Sequence, residues 1–279
     1  MCNFVQMSNH NHQLNIPAFP GALSKVYGET KKGITEALKA LGGIEQLNLW
    51  EDRSVAAVVP TLEDVVARHV YMFCNPAKAN LVDSIDHYPG LSSWKAFKHC
   101  EASVHAKVSF KVRAYHKEAI PRLPESNVLS EEEDQRLVEE LRASGKYFDE
   151  TFTIQPFAWL ALFGITERRD IERVRRRIIS TVYKQEAKLR KKRTCDVIGC
   201  ENLKRQAYFT PHTPSRKQRT VFVFCKDKQL RLEIIALVKA IEAECDECYE
   251  RAKRGLPAEW PDGVFIPWLP PPRFGTGPP

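Results

Sequence analysis

The chain has 279 residues, 43% of them hydrophobic and 28% charged, with a net charge of +7 and a pI near 8.9. That balance excludes a disordered chain and describes a soluble globular protein of one large or two modest domains. The polar opening lacks a signal-peptide pattern, and the longest apolar run, residues 157 to 165, is about half of a bilayer crossing. A cytoplasmic protein with no membrane contact is expected.

Near the start, Met7-Ser-Asn-His10-Asn11-His12 reads as a short extended segment. Side chains two apart on a strand share a face, so His10 and His12 can grip one divalent ion. Pro17 and Pro20-Gly21 then break the chain. A helix is predicted from Ala22 to Leu41, stopped by Gly42-Gly43. Val55 to Val59 suits a strand.

Pro60-Thr61, with Asp64 at the capping-box position, opens a helix carrying Leu62, Val65, Val66, Val70 and Phe73 inward. Tyr71 and Asn75 are four apart and fall on one side of it. Pro76 disfavours helical geometry at Asn75, which places that amide near the helix end, where its carbonyl could join a metal shell. Tyrosine is a poor nucleophile unless a phosphate is already activated and in line. A lone His-x-His is more often surface decoration, and a lone helical tyrosine more often packing.

Val104 to Tyr115 alternates strictly, with Val104, Val108, Phe110 and Val112 on one face and Lys107, Lys111 and Arg113 on the other. The basic face suits a DNA strand, and equally an edge strand whose lysines discourage aggregation. Pro121 to Asn127 reads as a linker, and Ser130-Glu-Glu-Glu133 as a capping box opening an acidic helix to about Ser144. Helices follow near residues 157–163 and 167–190. Between Gly164 and Arg193, twelve Lys/Arg stand against four Asp/Glu, a balance of +8. Arg168, Arg169, Arg173, Arg175, Arg176 and Arg177 wrap much of that helix, which suggests phosphate contact over a merely solvated face. Residues 220–225 read as a buried strand, and 229–253 as a long helix with Leu230, Ile234, Leu237, Val238 and Ile241 inward. A proline-rich tail spans 257–279. Cys195/Cys200 and Cys245/Cys248 could in principle hold zinc in a regulator, but the second pair falls mid-helix and reduced thiols suit a cytosolic protein better.

Four words in order carry a family resemblance. Met7-Ser-Asn-His10-Asn-His12, Leu49-Trp50-Glu-Asp-Arg53, Tyr71-Met-Phe-Cys-Asn75-Pro76-Ala-Lys78-Ala-Asn-Leu81-Val, and Asp86-His-Tyr88-Pro89-Gly-Leu-Ser92-Ser93 resemble the REP-associated tyrosine transposases, the single-tyrosine branch of the HUH superfamily. The match covers about the first hundred residues.

The resemblance implies an α+β protein. A partial ferredoxin-like HUH domain over 1–100 would precede a mainly helical basic region over 101–256 and the tail. It implies Tyr71 as nucleophile, His10, His12 and Asn75 as ligands of Mg2+ or Mn2+, and single-stranded or hairpin DNA as substrate. Cleavage would leave a 5′-phosphotyrosine and a free 3′-hydroxyl, for DNA transposition in a bacterial cytoplasm. Arg53, Lys78, Lys107, Lys111, Arg113, Arg173, Arg175, Arg176 and Arg177 form the expected DNA-contacting set. Tyr71 would serve its own chain or a neighbour's, in a monomer or homodimer.

Two departures bear on this reading. Asn11 stands where the family has a core-facing hydrophobic residue, so the amide must find partners or that face must be open. Family members also carry a strand–helix–strand before the metal strand, where nine residues precede His10 here, so in-frame DNA upstream is expected to encode it. A non-catalytic nucleic-acid-binding remnant is the alternative.

Overall fold

The computed structural model describes the chain except residues 8, 9, 20, 44, 48, 51–55, 117, 118, 120–129, 206–222, 263 and 265–279, and the side chains at 24, 113–115, 131 and 134. The architecture is α+β. Its elements are β1 (Asn3–Gln6), β2 (Asn11–Leu14), α1 (Ala22–Gly42), α2 (Leu62–Lys78), α3 (Trp94–His99), β3 (Val108–Tyr115), α4 (Glu131–Ala143), β4 (Tyr147–Ile154), α5 (Arg168–Lys192), α6 (Cys200–Lys204) and α7 (Lys228–Lys253). Two compact units share the chain. The first holds Met1–Ile16, Lys31–Glu51 and Leu62–Gln218; the second holds Pro17–Thr30, Asp52–Thr61 and Arg219–Pro279.

In the first unit, β1 and β2 form an antiparallel hairpin closed by Met7 N–H to the His10 carbonyl at 2.8 Å. Its register sets His12 opposite Val5 and Asn11 opposite Gln6, so these two pairs lie on opposite faces. On the other edge of β1, Gln6 N–H bonds Leu91 O and Ser93 N–H bonds Phe4 O, each at 2.9 Å. Tyr88 Oη donates to Gln6 O at 2.7 Å, and Ser93 Oγ accepts from Phe4 N–H at 2.9 Å. The Asp86–Ser93 phrase is therefore the stitching that holds β1 in place.

Helix α2 lies in the core. It buries Val65, Val66, Met72, Phe73 and Ala77, and α5 packs on it through Ile171, Ile178 and Val182. Trp94, Phe97, Phe157 and Trp159 are fully buried around His69 and Phe73, each worth about 1.5–3 kcal/mol of transfer free energy. His69 is a satisfied core imidazole. Its Nδ1 bonds Val65 O and its Nε2 meets the Asn3 amide, both at 3.0 Å. Burial holds its pKa down to about 4.

Pro76 does not release Asn75 from the helix: α2 continues through it to Lys78. A proline this near a C-terminus forfeits one backbone bond. The end is secured from elsewhere, by Leu81 N–H to Pro76 O at 3.0 Å and by Arg193, whose guanidinium reaches Asn80 Oδ1, Asp83 Oδ1 and Ala77 O. Asn80, at φ 55°, turns the chain away. Glu186 of α5 fixes the next turn, accepting from Ser84 Oγ at 2.8 Å and Ile85 N–H at 2.7 Å. Burial raises its pKa against the effect of those two bonds.

The strand expected over residues 104–115 begins only at Val108, and Lys107 precedes it. Its partner β4 ends at Ile154, opposite Val108, so residues 104–107 have no ladder to join and turn instead. The alternation of Phe148, Phe152 and Ile154 marks β4, which the sequence reading passed over. Phe110 and Phe152 stack at 4.8 Å and cover Phe4 of β1. The acidic helix has its capping box, with both Ser130–Glu133 bonds formed. Residues 158–163 form a 3-10 helix.

In the second unit, α7 buries Cys248 and half-buries Leu230, Ile234, Val238 and Ile241. Leu237, expected inward, is 60% exposed, although it lies only about 20° around the helix from half-buried Leu230. Of the strand expected at 220–225, residues 220–222 lie outside the described residues, and Val223 makes a single parallel bridge to Val58. Among the described residues, no helix is long and apolar enough to cross a membrane.

Candidate functional site

The hairpin presents His10 and His12 toward α2, and α2 presents Asn75 and Tyr71 in return. The Asn75 amide nitrogen lies 2.8 Å from His10 Nε2 and 2.7 Å from His12 Nε2. An amide nitrogen only donates, so both Nε2 atoms accept and neither carries the proton there. The two rings stand 4.8 Å apart at 81°, and the Tyr71 ring lies 5.5 Å from His12 at 82°. Residues separated by about sixty positions thus meet in one place. Asn75 is buried, whereas Tyr71 is 39% exposed and open to a substrate.

Two lone pairs aimed at one point are what a divalent ion requires, and a half-turn of the isosteric amide would present oxygen in place of nitrogen. The donor set therefore fits a metal with His10, His12 and Asn75 as holders. Among the described residues, no three His, Cys, Asp or Glu side chains gather into such a group, so this set rests on an amide as third member. Burial first, then electrostatic coupling to the His10 imidazole and to the cations of Arg68 and Lys78, holds His12 down to about 4, leaving it neutral near pH 7. Asn11 is exposed on the opposite face of β2, which answers its departure from a hydrophobic residue: that face is open.

Of the expected DNA contacts, Lys78 belongs to this site, its Nζ 4.9 Å from the Tyr71 ring centre. Arg68, which the sequence reading did not single out, approaches the same ring at 5.2 Å. Its position three residues before Tyr71 was the available signal. Arg53 and the Arg113 side chain lie outside the described residues, and Lys107 and Lys111 are exposed. Trp50, of the Trp-x-x-Arg word, donates its indole N–H to Thr35 Oγ1 of α1 at 2.8 Å.

The α5 arginines are mostly engaged within the protein. Arg175 donates to Cys100 O at 2.6 Å and pairs with Glu172, and only 16% of its side chain is exposed. Arg176 pairs with Glu172 at 3.0 Å, Arg173 with Asp170 at 2.8 Å, and Arg177 with Glu63 of α2 at 2.5 Å. An open groove of about 970 Å³ runs between residues 99–102 and the start of α5, lined by His99, Arg168, Arg169 and Arg176 but also by Glu101, Glu167 and Glu172. Its charges are mixed. Tyr71, by contrast, stands exposed on α2 beside the paired imidazoles.

The Cys195/Cys200 and Cys245/Cys248 pairs fall in different units, and Cys248 Sγ meets Glu259 O at 3.0 Å. No family model, no curated protein and no solved structure matches the chain.

Proposed function

We propose that this chain is a metal-dependent DNA strand transferase of the single-tyrosine HUH type, acting on single-stranded or hairpin DNA as the REP-associated tyrosine transposases do. The observation that carries the reading is the meeting of His10 Nε2, His12 Nε2 and the Asn75 amide within 2.8 Å, with the Tyr71 ring 5.5 Å from His12. His10, His12 and Asn75 would hold Mg2+ or Mn2+, which would supply Lewis-acid polarisation of a phosphoryl oxygen.

The protein supplies the rest. The Tyr71 oxygen, losing its proton, attacks the phosphorus, and the bond to the 3′ oxygen breaks. That oxygen leaves as a 3′-hydroxyl after taking a proton, and the 5′-phosphate stays on Tyr71. Attack by another 3′-hydroxyl reverses the step and restores the phenol, so the bond energy is retained and no nucleotide cofactor is consumed. The partial ferredoxin-like domain belongs to this reading, with the β1–β2 hairpin and α2 as its catalytic layer.

The test is a covalent protein–oligonucleotide adduct on single-stranded DNA flanked by a hairpin. It is expected with Mg2+ or Mn2+, and expected to vanish with a chelator or with Tyr71→Phe. An adduct that persists in the Phe variant removes Tyr71 as nucleophile. DNA binding without any adduct in the parent chain leaves the non-catalytic reading.

A further inference from the structure

The face of α2 that carries the phenol also carries two cations. Arg68, Tyr71, Asn75 and Lys78 follow at intervals of three, four and three, which places them along one side of the helix. The Arg68 guanidinium is 5.2 Å from the Tyr71 ring centre and Lys78 Nζ is 4.9 Å from it. The phenol is therefore bracketed, one cation on the turn before it and one two turns after. Tyr71 and Lys78 are exposed and Arg68 is half-buried, so the bracket faces solvent.

We infer that Arg68 and Lys78 form an anion clamp that seats a phosphodiester of single-stranded DNA over the Tyr71 ring. The inference rests on the proposed strand-transferase reading for its substrate, and on geometry for the clamp. A further observation favours a polyanion here. The donor set of His10, His12 and Asn75 contributes no negative charge, so nothing in it offsets the two cations or a metal ion. A phosphodiester satisfies all of these at once, accepting from the guanidinium and the ammonium through its two free oxygens. Arg68 need not be without other partners for this, because a guanidinium carries five N–H donors.

The clamp also assigns different tasks to the two cations. Arg offers a planar fork that can orient a phosphate, whereas Lys offers a point charge on a flexible stem. Arg68 is the orienting member and Lys78 the attracting one.

The experiment measures binding of a short fluorescent single-stranded DNA to the full chain across a salt series, in a Tyr71→Phe background. That background keeps the ring and removes the chemistry. Arg68→Gln and Lys78→Gln are each expected to weaken binding about tenfold at low salt and to flatten the log–log salt slope by about 0.7 per cation removed. Lys78→Arg keeps the charge and is expected to retain the parental slope, which separates lost charge from disturbed packing. Gln variants that bind with parental affinity and slope would overturn the clamp, as would a Lys78→Arg loss equal to that of Lys78→Gln. If the chain with Tyr71 restored forms no adduct while the Gln variants still flatten the slope, the clamp stands and the strand-transfer reading falls. If the adduct forms and the slopes are unchanged, the reverse holds.

Discussion

Two regions that meet along α2 both carry positive charge, and they set it in different surroundings. On α5 the arginines are answered by carboxylates close at hand: Arg173 by Asp170, Arg175 and Arg176 by Glu172, and Arg177 by Glu63. Around Tyr71, Arg68 and Lys78 flank an aromatic ring beside two imidazoles that accept hydrogen bonds. The +8 of residues 164–193 counts residues, whereas a phosphate responds to the field that remains after neighbours have paired. A count of basic residues is therefore a poor measure of the field that a phosphate would meet.

The contrast can be broken most directly at the proposed metal site. Replacing His10 and His12 together by alanine is expected to abolish any rise in thermal midpoint that Mg2+ or Mn2+ gives the parent chain, while Arg173→Ala leaves it intact. Loss of the rise in both variants would erase the distinction.

The core beneath the site offers the next largest effect. His69 is fully buried with a pKa near 4, against 6.5 for an ordinary imidazole. Between those values the unfolded chain binds a proton that the folded chain refuses, so stability falls as pH drops from 6.5 to 4. About 3 kcal/mol is at stake. Urea unfolding at several pH values should show this acid loss, and His69→Gln should remove the share due to His69 while leaving that of His12, whose pKa is also held to about 4. An unchanged acid slope would mean that His69 is protonated at no cost in the fold.

Glu186→Ala probes the joint between α5 and the turn after α2, because it leaves Ile85 N–H and Ser84 Oγ without their acceptor. A loss of about 2 kcal/mol in denaturant titration is expected, with Glu186→Gln largely restoring it. The smallest effect belongs to Arg177→Ala. Its ion pair with Glu63 is about half exposed on both sides, and such pairs are worth about 0–1 kcal/mol. A loss of several kcal/mol there would show that α5's surface pairs carry structural weight after all.

Much of this was readable from local spacing. His10 and His12 share a face because a strand repeats every two residues, and Tyr71 and Asn75 share one because a helix repeats every 3.6. The Ser130 capping box was equally local, as was the α7 stripe apart from Leu237. What escaped depended on partners. Strand β3 starts at Val108 because β4 offers nothing beyond Ile154. Helix α2 runs past Pro76 because Arg193, more than a hundred residues away, holds its end. The phrase from Asp86 to Ser93 resembles a family signature, yet its visible work is to bond β1.

By itself, then, the order of residues determined which side chains could face the same way: two imidazoles on one strand, a phenol and an amide on one helix, arginines around another. Only the tertiary structure decided which of those faces met. It brought residues 10–12 against 71–75 and gave the α5 arginines their carboxylates. Periodicity is a property of a few consecutive dihedrals, while contact across sixty or a hundred residues depends on how the whole core packs.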